Sequence, residues 1–496
     1  MNSSGAVLQI ALPTINYGPL LPVIFLGVTG LIALLLDAAL PRRQHTAIAW
    51  VCIGGLAVTF IDCLALFNKH ESAFSGSYVA DNFALFFNLI LIVAAALTIL
   101  LAINYAAPEP LNEGDFYALI LLCTAGMVLL AQAADLVLLF IGIETLSIAL
   151  YVLAGYTRSR LVSEEAALKY FLLGAFAFGF LLYGIAFIFG ATGSTTYTAV
   201  AKALAGTQSP GLLALAYVGM GLLLVGFGFK LAFVPFHNWT PDVYEGAPTP
   251  VTAFMSVATK VAVFAALLRV LQQALAPLAG EWFSVLWALA VLTMIVGNLI
   301  ALAQTNVKRM LAYSSIAQAG YVLLGVLANN GAGQSAAMFY LAVYAFMNMG
   351  AFAVVIATRR GGTEAAVLDD FRGLAYQRPG LAALMAVFML SLAGIPITAG
   401  FVGKLYLFIS IIQAGHAELA IIGVLTAAVS AFYYLRLVVY MFFSPADREG
   451  VFDRTLHVPV TAMLTVAVVV TLVLGVIPSI ILPVAQGSAI ALAALP

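Results

Sequence analysis

Charge is scarce in this sequence. Asp, Glu, Lys and Arg make up 8% of its 496 residues, hydrophobic residues make up 64%, and mean hydropathy is +1.10. Soluble globular domains carry about 25% charged residues, so a water-soluble fold is excluded. The net charge of −1 provides no bulk field for gathering nucleic acid. Cysteine is equally thin. Cys52, Cys63 and Cys123 lie singly in apolar runs, which argues against a disulfide framework, a zinc site or an iron–sulfur cluster. There is no G-x-x-x-x-G-K-[ST] loop and no dinucleotide fingerprint. No pair of intramembrane histidines is placed to ligate haem. The amino end, MNSSGAVLQIALP, lacks the basic stretch of a secretory signal, and no cleavage is expected. Long polar connections are missing too, the longest being 359–378.

Long apolar runs fill the chain instead. A membrane span needs about 20 mostly apolar residues. Fourteen such runs occur, at 19–40, 47–68, 82–104, 115–132, 134–156, 166–190, 212–236, 249–274, 283–303, 309–328, 335–358, 379–414, 417–443 and 458–484. The fold expected is an all-α integral membrane protein of about fourteen transmembrane helices. Span 7 contains Lys230 and Pro235. Span 12 is too long for one straight helix and contains Gly394-Ile395-Pro396, so both spans should be broken.

Basic residues in the connections set orientation. Numbering each connection by the span before it, odd ones carry Arg42, Arg43, Arg158, Arg160, Lys308, Arg309, Arg359, Arg360, Arg372, Arg378, Arg448 and Arg454. Even ones carry only Lys69 and Lys202. The odd side should be cytoplasmic, with both termini on the opposite, periplasmic side.

Two strings recur at nearly one offset. YVLAG (151–155) returns as YVLLG (321–325), and Gly226-Phe227-x-x-Lys230-Leu231 returns as Gly400-Phe401-x-x-Lys404-Leu405. Spans 5 and 7 thus match spans 10 and 12. Matched spans five apart run in opposite directions, so the expected repeat is inverted, a transporter pattern. The expected divisions are 1–110 (spans 1–3), 111–280 (spans 4–8, first repeat), 281–445 (spans 9–13, second repeat) and 446–496 (span 14).

Four ionisable residues lie deep in the spans: Glu144, Lys230, Lys260 and Lys404. Each costs about 2.5–3.5 kcal/mol to insert. A static ion pair would account for Glu144 and one lysine. It leaves two more lysines that need water, another partner or a shifted proton affinity. Lysine surrenders its proton when desolvated, and a nearby carboxylate opposes this, so such groups joined by water form a proton relay. Pro235 cannot donate to the carbonyl of Leu231, and Pro396 precedes Lys404, so each break should free backbone beside a buried lysine. The plainer reading of either proline is an ordinary kink.

Other residues are accessory candidates. Glu165 and Lys169 stand at i, i+4 and form an interfacial pair or, with Glu164, a proton inlet from the cytoplasm. His237 at the end of span 7 is a loop hydrogen-bonder or a proton carrier. Asp135 should cap helix 5. Lys308 and Arg309 should anchor helix 10 at the surface. Arg269 and Arg436, near span ends, should snorkel to the interface. Asp62 has no evident role.

The segments GIETLSIALYVLAGY (142–156), EEAALKYFLLGA (164–175), GFGFKLAFVPFHNWTPDVYEGAPTPVTAF (226–254), GNLIALAQTNVKRMLAYSSIAQAGYVLLG (297–325) and LSLAGIPITAGFVGKLYLF (390–408) resemble the antiporter-like membrane subunits of respiratory complex I, the NADH:quinone oxidoreductase. The likeness is strong over spans 4–13. WTPDVYEGAPTPV (239–251) points to the branch with lysine in span 12, where a sister branch has glutamate. The longest branch continues past span 14 into a lateral helix, and this chain stops soon after span 14. The resemblance implies that Glu144 is the span 5 carboxylate, Lys230 its span 7 partner, Lys260 the central relay group and Lys404 the group facing the exit. Ser314 stands where the second repeat would carry a carboxylate. The resemblance also implies a redox-driven proton pump of the bacterial inner membrane. NADH, FMN, iron–sulfur clusters and quinone would be held by partner subunits, and further membrane-arm subunits, including paralogues, would lie alongside. A multi-subunit cation/proton antiporter, a ferredoxin-driven photosynthetic complex and a non-pumping scaffold are the alternatives.

Overall fold

A computed structural model describes residues 16–41, 45–103, 105, 111, 113–207, 209–360, 363–445, 452–453 and 457–493. The amino-terminal stretch read for a signal, and Arg42, Arg43, Arg448 and Arg454, lie outside these. The described chain is almost wholly helical. The first six crossings are α1 (Leu21–Ala39), α2 (His45–Leu66), α3 (Asn82–Ala102), α4 (Gly114–Ala131), α5 (Leu136–Ala154) and α6 (Leu161–Thr192). A short α7 (Tyr197–Gly206) precedes the seventh crossing, which is split into α8 (Pro210–Leu231) and α9 (Trp239–Gly246). Then come α10 (Thr249–Arg269), α11 (Ala279–Leu302), α12 (Val307–Leu327) and α13 (Gly331–Ala357). A one-turn α14 (Leu374–Gln377) leads to the split twelfth crossing, α15 (Pro379–Ala393) and α16 (Ala399–Gln413). The chain closes with α17 (Ala417–Phe443), α18 (Val458–Val476) and α19 (Leu482–Ala493). Among the described residues thirteen helical segments are each long and apolar enough to cross a membrane, and the shorter α15 and α16 together supply the remaining expected span.

Hydrogen bonds join odd connections to odd and even to even, as alternating crossings require. On the odd side Gly114 N–H donates to Asp37 (2.8 Å), Tyr156 to Asp115 (2.6 Å) and Asp453 N–H to the Arg359 carbonyl (2.9 Å). On the even side Ala134 N–H donates to the Ser77 carbonyl and Leu136 N–H to that of Thr195, both at 2.9 Å. Two hairpins decorate these faces, β1 (Glu71–Ala73) with β2 (Tyr78–Ala80) on the even side and β3 (Arg359–Arg360) with β4 (Thr363–Glu364) on the odd. The three cysteines are buried and free.

Some boundaries depart from expectation. Span 7 leaves the helix before its proline: α8 ends at Leu231, and Ala232 takes a left-handed conformation (φ 60°) with its N–H on the Gly228 and Phe229 carbonyls. Span 14 ends at Val476, because Pro478 and Pro483 follow and start α19 afresh. Arg269 does not snorkel. It is fully buried, and its guanidinium grips Asp81 with two hydrogen bonds (2.7 and 2.9 Å). Arg436 caps α11 instead, donating to the carbonyls of Leu302 (2.9 Å) and Gln304 (2.5 Å). Lys308 is no surface anchor either: it is 6% exposed and donates to the Ala247 carbonyl (2.8 Å). Asp135 caps α5 as expected, accepting from Val137 and Leu138 N–H.

Matching contacts recur along the chain. Asp135 caps α5 and bridges to Thr196. Asn306 caps α12 and bridges to Val367. Gly126 lies against Leu146 N, and Gly297 against Ala317 N. All four correspondences share one offset, 171 residues.

The break in the twelfth crossing is held by close approach. Gly394 ends α15 with φ 86°, and a Cβ on Gly400 would stand 1.9 Å from the Ser391 carbonyl oxygen. We expect Gly400→Ala to push α16 off α15 and to cost about 1–3 kcal/mol. A lower melting temperature of the membrane-extracted protein would register this, whereas an unchanged one would mean the two half-helices separate freely.

Candidate functional site

The two breaks do the same thing chemically. A helix carboxyl end leaves its last carbonyls without intrahelical partners and carries partial negative charge. At the first break the Leu231 carbonyl, the one Pro235 cannot satisfy, accepts a hydrogen bond from Lys260 Nζ (3.1 Å). At the second the Leu392 and Ala393 carbonyls accept from Lys404 Nζ (2.8 and 3.2 Å). Each break thus brings a helix end to a buried lysine. Lys230, Lys260 and Lys404 are each no more than 3% exposed.

Lys230, in the last turn of α8, is held differently. Its ammonium donates to Ser147 Oγ and Tyr170 Oη, both at 2.9 Å, and lies over the rings of Tyr170 (4.9 Å), Phe178 (5.3 Å) and Tyr151 (5.8 Å). Tyr170 stacks on Trp239 of α9 (4.5 Å, 9° between planes), and Trp239 Nε1 donates to the Phe229 carbonyl (2.9 Å). An ammonium desolvated over aromatic faces is attracted by their quadrupoles. Glu144 stands one turn before Ser147, half-buried, beside the exposed residues Ile141 and Ile148 of α5. Among the described residues no ion pair joins it to Lys230, and the two interact through the electrostatic field only.

The second half repeats part of this site. Lys404 Nζ lies 4.8 Å from the Tyr321 ring, as Lys230 lies over Tyr151. Tyr434 follows Lys260 by the same 174 residues that separate Lys230 from Lys404, and Ser314 follows Glu144 by the 170 that separate the YVLAG and YVLLG strings. Ser314 Oγ and Tyr434 Oη share a 2.5 Å hydrogen bond. One carboxylate and one lysine are therefore replaced by two neutral hydroxyls. Gln318 Nε2 donates to Tyr434 Oη (3.1 Å) and to the Leu392 carbonyl (3.2 Å) that Lys404 also uses. Tyr340 bonds to Gln318 Oε1.

Between Lys260 and Lys404 runs a line of polar side chains on α13. Asn348 Nδ2 donates to Ser256 Oγ (2.7 Å), one turn before Lys260. Tyr344 precedes Asn348 by a turn and stacks over Tyr340 (6.4 Å, 15°). Asn348 Oδ1, Tyr344 Oη, Ser315 Oγ, Thr240 Oγ1 and His237 Nδ1 are buried without protein partners. Buried polar atoms of this kind ordinarily hold water.

The accessory candidates sit apart from this line. Glu165 pairs with Lys169 (2.7 Å) and Lys169 with Asp242 (2.7 Å). Arg309 then pairs with Asp242 (2.7 Å) and Glu245 (2.8 Å). This ladder pins α9 between α6 and α12, so Arg309 is a bracing residue rather than a surface anchor. Glu164 is exposed in the first turn of α6. His237 is 8% exposed, in the break, with its ring 6.4 Å from that of Tyr313. Outside the spans, burial and then the adjacent Glu364 carboxylate push the Tyr105 phenol up. The sequence reading missed Ser147, Tyr170, Asp81 and Asn348. Tyr170 was within sight, directly after Lys169 in the first turns of α6.

Among the described residues no group of three or more His, Cys, Asp or Glu could hold a metal ion. A family model described as NADH:quinone oxidoreductase/Mrp antiporter, TM matches residues 133–430. NADH-quinone oxidoreductase subunit N of Trichlorobacter lovleyi is 48% identical over 95% of this chain and 97% of its own. That of Chloroflexus aggregans is 45% identical over 98% and 99%. A chain of respiratory complex I from Thermus thermophilus superposes with a TM-score of 0.80 at 38% identity, covering 94% of this chain and 99% of that one. A chain of the Mrp complex of a Dietzia species gives a TM-score of 0.84 at 24% identity over 96% and 98%, a likeness of fold alone. The chain belongs to the NADH:quinone oxidoreductase/Mrp antiporter transmembrane family, in its subunit N branch.

Proposed function

We propose that this chain moves protons across the membrane through Glu144, Lys230, Lys260 and Lys404, driven by quinone reduction in partner subunits of an NADH:quinone oxidoreductase. The observation that carries the reading is that both helix breaks end on a buried lysine in the middle of a membrane bundle. A packing device needs no such lysines, since apolar residues would fill the same space at lower cost. The unpartnered polar atoms on α12 and α13 support a hydrated link between Lys260 and Lys404. Glu144 lies one turn from Ser147, so its charge is felt at Lys230 without clamping it. A change in the field at Glu144 then biases whether Lys230 keeps its proton. Moving one charge against about 100 mV requires about 2.3 kcal/mol. A shift of about two pKa units supplies that much.

In this reading the odd connections face the cytoplasm of a bacterium, the bilayer is the inner membrane, and spans 4–8 and 9–13 are two inverted copies of one unit. NADH, FMN, the iron–sulfur clusters and quinone belong to partner subunits, and paralogous membrane subunits lie alongside. The test is NADH-driven proton uptake by inverted vesicles carrying Lys230→Ala or Glu144→Ala, with assembly and electron flow to an artificial acceptor followed in parallel. Loss of uptake and quinone turnover together, with acceptor activity kept, is the expected result. Normal pumping in both assembled variants would make the buried charges packing devices.

A further inference from the structure

Lys260 lies at the inner end of a polar stripe whose outer end reaches the odd-side surface. Thr249, Thr252, Ser256 and Lys260 follow one another at steps of three, four and four residues, which keeps them within about 80° of arc on one face of α10. None is more than 3% exposed. At the outer end the Thr249 hydroxyl donates to Glu364 Oε1 (2.5 Å), and Tyr105 donates to Glu364 Oε2 (2.8 Å). Glu364 is half-buried on β4, in the connection after α13. Midway, Ser256 accepts from Asn348, whose Oδ1 is fully buried and unpartnered.

A simpler account is available for each piece. Glu364 could merely cap the amino end of α10. Thr252 and Ser256 could merely satisfy themselves on nearby carbonyls, and they do donate to Tyr244 (2.9 Å) and Ala253 (2.8 Å). These accounts explain the ends and leave out the middle. A buried amide oxygen without a partner, beside a serine halfway to a buried lysine, is costly and serves no cap. Hydroxyls both donate and accept, so a row of them with bridging water can pass a proton in either direction.

We propose that Glu364 is the proton-collecting group of this chain on the odd side, and that Thr249, Thr252 and Ser256 lead from it to Lys260. This rests on Lys260 being a relay group. The Glu364 carboxylate takes a proton from outside water and becomes an acid. Its O–H then donates to Thr249, whose own hydrogen turns inward along α10. Successive transfers end with a proton on the Lys260 amine and a carboxylate restored at Glu364. One proton enters and one arrives, and no other bond changes. Lys308 is the neighbouring charge, itself felt by Arg160 and Glu245, and Arg359 stands opposite Glu364 across the hairpin. Glu164 and Glu165 are then not the inlet. Lys169 holds Glu165 in the ladder, and Glu164 stays at the surface.

The experiment measures NADH-driven proton uptake by vesicles carrying the whole complex with Glu364→Gln, Glu364→Asp, Tyr105→Phe or Lys260→Ala. Glu364→Gln should lower uptake at least tenfold. Glu364→Asp and added formate should restore part of it, and Tyr105→Phe should lose less than threefold. Wild-type uptake in assembled Glu364→Gln, or a loss that neither aspartate nor formate relieves and that Tyr105→Phe matches, overturns the proposal. If Glu364→Gln fails to assemble, Ser256→Ala decides: a tenfold loss supports the stripe and normal uptake ends it. Normal uptake in Lys260→Ala would instead defeat the relay reading itself.

Discussion

Replacing Lys260 by methionine is expected to stop quinone-coupled proton uptake in vesicles while electron transfer to an artificial acceptor continues. Methionine keeps much of the length and none of the charge. Lys260 Nζ is the donor that meets the Leu231 carbonyl at the end of α8. The variant therefore removes the proposed proton site and also leaves a buried carbonyl unpaired, at about 1–3 kcal/mol. The second effect alone would lower stability without selecting among activities. The first should slow coupled turnover by roughly tenfold or more, equivalent to at least about 1.4 kcal/mol on the limiting step. Comparing turnover per assembled complex separates the two. Wild-type turnover at reduced assembly would reduce Lys260 to a helix cap.

The largest stability effect is expected at Arg269. Asp81 and Arg269 are both fully buried, form a two-pronged ion pair, and place the guanidinium 5.0 Å from the Phe83 ring. Asp81 also caps α3 through Ala84 N–H (2.8 Å). Arg269→Ala strands a carboxylate in the interior, which costs about 3–5 kcal/mol. That is a large part of the about 5–15 kcal/mol that holds a typical protein folded. The subunit should be nearly absent from assembled complexes. The double variant Asp81→Asn with Arg269→Met removes both charges and should recover most of the assembly. Equal losses in the single and double variants would show that the pair specifies geometry rather than balances charge.

The number of crossings, the two breaks and the three buried lysines were legible in the sequence, because the bilayer imposes long apolar runs and makes every exception visible. The Leu231 carbonyl was legible too, since proline chemistry names the group it abandons. Its partner was not. Lys260 follows it by 29 residues on another helix, and hydropathy carries no information on which helices touch. The same gap hid Asp81, which lies 188 positions from Arg269 and reads as a plain helix cap. It also made an arginine near a helix end look like a snorkelling one. The half-helix α9 falls in the connection between spans 7 and 8 because its Pro241 and polar residues break the apolar pattern, whereas Trp239 and the charge ladder hold it in place. The hydroxyl stripe on α10 was present at helical spacing but is easily passed over, since threonine and serine are common in membrane helices.

The hydroxyl pair Ser314–Tyr434 has a further consequence. In the proposed relay, when Lys230 or Lys260 gives up its charge the first half keeps a charged pair, Glu144 and the remaining lysine. When Lys404 does so, its surroundings are left neutral. The two halves share the matched contacts at one offset, yet they differ in what remains after discharge. A proton arriving from either direction therefore meets unequal terrain. In the proposed relay that difference sets forward apart from backward, as the two sides of a diode differ, without any moving valve.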